Sequence, residues 1–146
     1  MNRRILLPVI ALLLIRCGSP ASNGNEHNEN DGDSTSTNQA LYDQVMDIHD
    51  EVMPKMQDLY ILKKGIQDKI AATPNMVIEE KQKLEKRISN LDSASQLMMD
   101  WMHNFTPLSD TTDQEAAREY LESEMEKIRK VREAMLEAIA SEKGSN

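Results

Sequence analysis

Apolar residues recur at intervals of three and four from residue 40 to residue 139. This spacing places them on one face of an α-helix. The first set predicts a helix over residues 40–71, which stops at the sequence AATPN. Its members are Leu41, Val45, Ile48, Val52, Met56, Leu59, Leu62, Ile66 and Ile70.

Two further helices follow from the same pattern. The second is predicted over residues 75–105, with Thr73 as its cap and Pro74 in its first turn. The third is predicted over residues 112–141, starting at a capping box of Thr112 and Glu115. The second set of positions is Val77, Leu84, Ile88, Leu91, Ser95, Met98, Met102 and Phe105. The third set is Ala117, Leu121, Met125, Ile128, Val131, Met135 and Ile139.

These helices are nearly equal in length and joined by short connections. About 30 residues per helix gives a length of about 45 Å. Such a pattern favours an all-α fold, an antiparallel up-down-up three-helix bundle with coiled-coil-like packing, over residues 40–146. Pro54 lacks an N–H group and should bend the first helix. Gly65 weakens the same helix further on.

The N-terminal residues differ sharply from this domain. Arg3 and Arg4 are followed, within residues 1–16, by an apolar run that is too short to span a bilayer but suits a secretory signal peptide. Cys17 follows in the sequence LLLIRCGS, which resembles the lipobox of bacterial lipoproteins. The resemblance implies cleavage before Cys17 and acylation of that cysteine. An ordinary signal peptide with a chance cysteine, or an uncleaved anchor, is the alternative.

Residues 17–39 connect this signal to the domain. Between Gly18 and Asn38 the only apolar residue is Ala21. Such a segment cannot bury enough apolar surface to offset the entropy lost on ordering, so it is predicted to be a flexible tether. About 21 flexible residues give a root-mean-square reach of roughly 25 Å.

Composition and charge narrow the possible partners. A single cysteine excludes an internal disulfide and any cysteine-based metal knuckle. Without residues 1–16 the chain keeps 14 basic and 25 acidic residues, a formal charge of −11. A nucleic acid is therefore not an expected partner, since neutralising phosphates requires a basic face.

Methionine and histidine occur together in two stretches, VMDIHDEVMPKM at 45–56 and LMMDWMHNF at 97–105. In an antiparallel hairpin that turns near residue 74, His49 should face the level of Met98, and Met46 the level of Trp101 and Met102. Thioethers and imidazoles suit Cu(I), so one interpretation is a copper site. The other is packing, because methionine fills irregular gaps in a core. The candidate ligands are Met46, His49, Met53, Met98, Met99, Met102 and His103.

The domain carries no sequence motif that is typical of catalysis. The sequence HDE at 49–51 lacks the second histidine of a zinc-protease motif, and the domain contains no phosphate loop or nucleophile motif. The charge run at 79–87 is typical of a solvated helix face. We therefore expect a protein that is not an enzyme.

The stretches IHDEVMPKM and MMDWMHNF behind a lipoprotein signal resemble small helical lipoproteins of Bacteroidota, some of which are labelled as similar to viral A-type inclusion proteins. The resemblance covers most of residues 40–105 and implies an outer-membrane location. Acidic residues begin only at Glu26, which favours the periplasmic face over the cell surface. The O-glycosylation pattern of such bacteria implies two candidate sites, Ser34 and Thr111.

These observations lead to two hypotheses. The first is a non-enzymatic outer-membrane lipoprotein, without a cofactor, whose helices bind another envelope protein or act as a spacer. Spare apolar surface on three helices also makes a homo-oligomer conceivable. The alternative is a protein that binds or handles Cu(I) through its methionines and histidines.

Overall fold

The computed structural model describes residues 31–144, which form helices and no strand. The helices are α1 (Asp31–Val52), α2 (Lys55–Ala72), α3 (Ile78–Asn104) and α4 (Gln114–Lys143). α1 packs on α4, α2 packs on both α3 and α4, and α3 packs on α4. The predicted all-α class and helical bundle are confirmed, and α1 and α2 together take the place of the first predicted helix.

The signal peptide predicted over residues 1–16, and Cys17 after it, lie outside the described residues. Within residues 31–144, no helix is both long enough and apolar enough to cross a bilayer.

The interruption between α1 and α2 lies at Met53 and Pro54. The Met53 N–H still donates to the His49 carbonyl at 2.8 Å, but Pro54 has no N–H to continue the pattern. The Met56 N–H then donates to the Met53 carbonyl at 3.2 Å, a bond across three residues instead of four. Pro54 keeps helical backbone angles, with φ −61° and ψ −22°. Proline therefore interrupts the hydrogen bonds while the backbone stays helical, at the position where a bend was predicted.

α1 begins at Asp31, nine residues before the predicted start at residue 40. The prediction of a flexible tether up to residue 39 is therefore corrected, and residues 17–30 lie outside the described residues. Asn38 shows the reason, because it lies seven residues before Val45 and is buried like it. Its Nδ2 donates to the Gln114 carbonyl at 2.8 Å and to Gln114 Oε1 at 2.9 Å. This polar stretch of α1 is therefore held against α4 by the hydrogen bonds of Asn38 and not by buried apolar surface.

The core follows a seven-residue repeat along each helix, which is the spacing of coiled-coil packing. In α1 and α2 the repeat continues across Pro54 without a shift in phase. Its fully or nearly fully buried positions there are Val45, Val52, Leu59 and Ile66. α3 contributes Leu84, Leu91, Ala94, Met98 and Trp101. α4 contributes Ala117, Leu121, Met125, Ile128, Val131, Met135 and Ile139, all of which were predicted.

The helix ends differ from the predicted ones. Thr73 ends α2 instead of capping the next helix, and α3 starts only at Ile78, after Val77. Val77 was predicted to be in the core but is 64% exposed, because it precedes the first turn. At α4 the cap is Asp113, not Thr112: its carboxylate accepts from the N–H groups of the residues two and three positions later, at 3.1 and 3.0 Å. A carboxylate also complements the positive end of the helix dipole, which a hydroxyl does less well.

Salt bridges join the helices at several levels. Lys63 of α2 pairs with Asp92 of α3 at 2.6 Å, and Lys69 pairs with Glu80 at 3.1 Å. Later positions of α2 thus meet earlier positions of α3. Between α1 and α4, Arg132 Nη2 lies 2.8 Å from Glu51 Oε1.

The Glu51 pair predicts a pH dependence. The hydrogen bond from Arg132 lowers the pKa of Glu51 from its ordinary value of 4.5, so the pair stabilises the fold above that value and this contribution is lost as the pH falls through the lowered pKa. Glu51→Gln should therefore be less stable than the wild type at pH 7 and should approach it at an acid pH below the lowered pKa of Glu51. Urea unfolding at both pH values measures this difference. A Glu51→Gln penalty that persists at the lower pH would contradict an ionic origin.

Candidate functional site

Four of the five aromatic residues of the chain meet at one end of the bundle. The Phe105 ring is central: its centroid lies 5.0 Å from Trp101, 6.2 Å from Tyr42 and 6.1 Å from Tyr120. Trp101 lies in the last turn of α3, and Phe105 directly follows the helix, four residues later, where its N–H still donates to the Trp101 carbonyl at 2.9 Å. The Tyr120 hydroxyl accepts a hydrogen bond from the Thr106 N–H at 2.8 Å. α1, α3 and α4 therefore all contribute to one aromatic cluster.

His49 of α1 borders this cluster. Its ring centroid lies 5.8 Å from that of Trp101, and its Nε2 lies 3.4 Å from Met102 Sδ. Its Nδ1 lies 2.8 Å from the Asp50 carboxylate, an acceptor, so Nδ1 carries a proton. Nε2 then either carries a second proton, which it donates to the sulfur, or presents a lone pair towards it. The second arrangement would suit a metal shared by the two atoms.

The two Met and His stretches are neighbours in space, as predicted, but with an offset of one helical turn. His49 meets Trp101 and Met102 instead of Met98. The offset arises because the connection between α2 and α3 extends over residues 73–77 and is centred later than residue 74.

The seven candidate metal ligands lie in different environments. Met98 is fully buried in the core. Met46 and Met102 are half-buried, as is His49. Met53 and Met99 are exposed, and so is His103. Among these seven residues, His49 and Met102 contact each other, through Nε2 and Sδ. In the described part of the chain, no three His, Cys, Asp or Glu side chains are grouped to hold a metal ion.

A buried carboxylate lies beside the aromatic cluster. Glu124 is 3% exposed, and its Oε2 accepts a hydrogen bond from Trp101 Nε1 at 2.9 Å. Its Oε1 accepts from Lys127 Nζ at 2.7 Å, and this bond raises the pKa of Lys127. The sequence interpretation missed Glu124. A signal existed, because Glu124 lies seven residues after Ala117 and seven before Val131, in the same repeat.

A second buried carboxylate lies at the other end of α4. Glu142 is 3% exposed, and both Nε and Nη2 of Arg87 donate to its Oε2, the former at 2.8 Å. The hydrogen bond to Glu142 raises the pKa of Arg87. Glu142 lies seven residues after Met135 in the seven-residue repeat. Each buried carboxylate of α4 is therefore matched by a donor from α3.

A groove runs between α3 and α4, with a volume of about 330 Å³. Small side chains line most of it, and Leu97, which is 46% exposed, stands at its side. The lining residues are Asn90, Ser93, Ala94, Leu97, Ala134, Glu137, Ala138 and Ser141. An exposed leucine beside small residues leaves room for a further helix to approach closely.

The two candidate glycosylation sites lie at the end of the bundle that carries the aromatic cluster. Thr111 is exposed in the connection between α3 and α4, where its hydroxyl lies 3.0 Å from Ser109 Oγ. Ser34 belongs to the first turns of α1.

Comparisons of the chain with protein-family models, with curated proteins and with solved structures found no significant match.

Proposed function

We propose that the protein is a non-enzymatic, lipid-anchored outer-membrane protein whose up-down-up helical bundle binds another envelope protein. The observation that carries the proposal is the α3–α4 groove, whose lining is divided between apolar side chains, including the exposed Leu97, and polar ones. A mixed apolar and polar surface of this kind is typical of interfaces between proteins that associate reversibly.

The partner is proposed to be an amphipathic α-helix with basic flanks. Ala94, Ala134 and Ala138 provide a shallow lining into which larger apolar side chains can pack. Glu137 lines the groove and the exposed Glu133 lies one turn before it, on a chain with a formal charge of −8. Acidic borders favour a positively charged partner and suppress neutral or acidic ones.

A photo-crosslinking amino acid at Leu97 should form an adduct with one envelope protein in intact cells. The adduct should be lost when Ala138→Arg is added, because a long cation fills the groove and repels basic flanks. Gel mobility and mass spectrometry of the adduct measure both results.

The matched control places the same crosslinker at Gln67, an exposed position on α2. An adduct that also forms from Gln67, or that survives Ala138→Arg, would reject the groove as the binding surface. An adduct with twice the chain mass would show self-association in place of a foreign partner.

The lipid anchor and the outer-membrane location are proposed from the N-terminal sequence. A signal peptide at 1–16 and an acylated Cys17 would hold the bundle at the outer membrane, with the periplasmic face favoured by the late onset of acidic residues. Release of a Cys17→Ser protein into the soluble fraction is the expected result. Retention in the membrane would reject acylation as the anchor.

Ser34 and Thr111 remain proposed glycosylation sites. Unmodified masses for the native peptides that contain them would reject these sites.

A second candidate function is Cu(I) binding, favoured by the contact of His49 Nε2 with Met102 Sδ. Imidazole and thioether ligands suit Cu(I), and Asp50 fixes the ring through its other nitrogen, as second-shell carboxylates commonly do.

Calorimetric titration with Cu(I) should then show micromolar or tighter binding that is lost in His49→Gln and in Met102→Leu, each of which nearly preserves side-chain volume. The matched controls are His103→Gln and Met99→Leu, on exposed positions of α3. No heat of binding, or equal losses in the controls, would eliminate this function.

A further inference from the structure

A pocket of about 430 Å³ opens beside the aromatic cluster, between the first half of α1, the α3–α4 connection and the start of α4. Its size lies within the range of about 300–1,000 Å³ that is usual for small-molecule sites. It is separate from the groove proposed to bind a protein and from the contact of His49 with Met102. Neither proposed function uses it.

The pocket has an apolar floor and a polar rim. Leu108, Ala117 and Leu121 supply apolar surface, while amides, hydroxyls and one carboxylate surround them. The polar lining residues are Thr35, Asn38, Gln39, Tyr42, Ser109, Asp110, Thr112 and Gln114. With eight polar residues among its twelve, the lining is more polar than that of most small-molecule sites, which suits a ligand that is itself rich in hydroxyl groups.

Two pairs of polar side chains are held in place before any ligand arrives. The Asn38 amide donates both of its hydrogens to Gln114, one to the carbonyl and one to Oε1. These bonds fix the orientation of the Gln114 side chain across the pocket. Ser109 Oγ lies 3.2 Å from Thr112 Oγ1, which connects two hydroxyls of the connection before α4. Side chains already ordered lose less conformational freedom on binding.

The charge of the lining limits the ligand class. Asp110 is the acidic residue of the lining, and no lysine, arginine or histidine is among the lining residues. A carboxylate or phosphate ligand would meet no cation and one like charge, so an anion is disfavoured. Amide and hydroxyl groups both donate and accept hydrogen bonds, which matches a ligand that carries several hydroxyls.

We propose that this pocket binds an uncharged or amine-bearing sugar of one or two rings. A sugar ring presents hydroxyls along its edge and C–H groups on its faces, which corresponds to the polar rim and apolar floor. Asp110 would accept from an amine on the ring, and charge-assisted bonds of this kind are stronger than neutral ones.

Ligand-observed NMR titration of the full-length protein, in a detergent whose headgroup is not a sugar, tests the proposal. The probes are glucosamine, N-acetylglucosamine and the anionic glucuronate. Glucosamine should bind about threefold more tightly than N-acetylglucosamine, the usual value of an ion pair with an exposed carboxylate. Glucuronate should bind most weakly of the three.

Two variants locate the site. Gln39→Trp places a large ring in the pocket and should abolish binding of both favoured probes, whereas Gln67→Trp, the same change at an exposed position of α2, should leave it intact. Asp110→Asn is nearly isosteric, lies in an exposed connection and should remove the advantage of glucosamine without unfolding the protein.

Three outcomes would overturn the proposal: no saturable binding of any probe at millimolar concentrations, tighter binding of glucuronate than of the other probes, or unchanged binding in Gln39→Trp. Circular dichroism of each variant confirms that the helices are intact. Partner crosslinking from Leu97 is measured independently, so failure of the sugar site and failure of the protein-binding groove are distinguishable.

Discussion

Replacing Trp101 by alanine is expected to lower the free energy of unfolding by about 3–5 kcal/mol. Trp101 is 6% exposed and packs against Phe105 and His49, so its removal leaves a cavity within the aromatic cluster. It also removes the hydrogen bond that the indole N–H donates to Glu124. Since domains of this size are stable by about 5–15 kcal/mol, the variant should lose a large share of its stability.

Two conservative substitutions separate the loss of ring packing from the loss of the hydrogen bond to Glu124. Trp101→Phe keeps a ring but leaves Glu124 Oε2 without its donor, and should cost about 1–3 kcal/mol. Adding Glu124→Leu should recover part of this loss, because no buried carboxylate then remains unsatisfied. Circular dichroism in urea is the measurement, since Trp101 is the only tryptophan and its fluorescence is lost. Equal stability of Trp101→Phe and wild type would mean that the Glu124 bond contributes nothing.

The second large effect is expected at Arg87. Arg87→Ala leaves the Glu142 carboxylate, only 3% exposed, without its cation. Removing one partner of a buried pair costs about 3–5 kcal/mol, and because the Arg87 side chain is 27% exposed we expect a discounted loss of about 2–3 kcal/mol. Urea unfolding measures the loss directly.

Replacing both partners, Arg87→Met with Glu142→Leu, should return the stability to within about 1 kcal/mol of the wild type, since apolar packing can substitute for a buried ion pair. The matched control is Lys130→Ala, which breaks the exposed pair with Glu126 on the same helix and should have no measurable effect. If Arg87→Ala were as harmless as Lys130→Ala, the buried pair would have no role in stability.

The apolar positions of the helices could be predicted from the sequence because burial repeats every three and four residues. Every predicted position of the third helix is buried, and Val77 is the clear exception in the second. A helix end is decided by which side chain reaches the first free N–H groups, as Asp113 does, and apolar spacing carries no information about that.

Buried polar residues were the main omission, because a charged or amide side chain in a helical sequence is normally solvated. Asn38, Glu124 and Glu142 are buried nonetheless. Each lies at a multiple of seven residues from an apolar core position, so the repeat marks their location but not their partners. The partners Gln114, Trp101 and Arg87 come from another helix, and only the packed structure brings them together.

These three pairs have a common effect on helix alignment. Sliding α4 by one turn against its neighbours would still bury apolar side chains, but it would remove the donors that Glu124 and Glu142 receive from α3 and the acceptors of Asn38. An unsatisfied buried polar group costs several times more than its bond contributes. The polar pairs therefore select one register among several that the apolar repeat alone permits, as single polar core positions do in coiled coils.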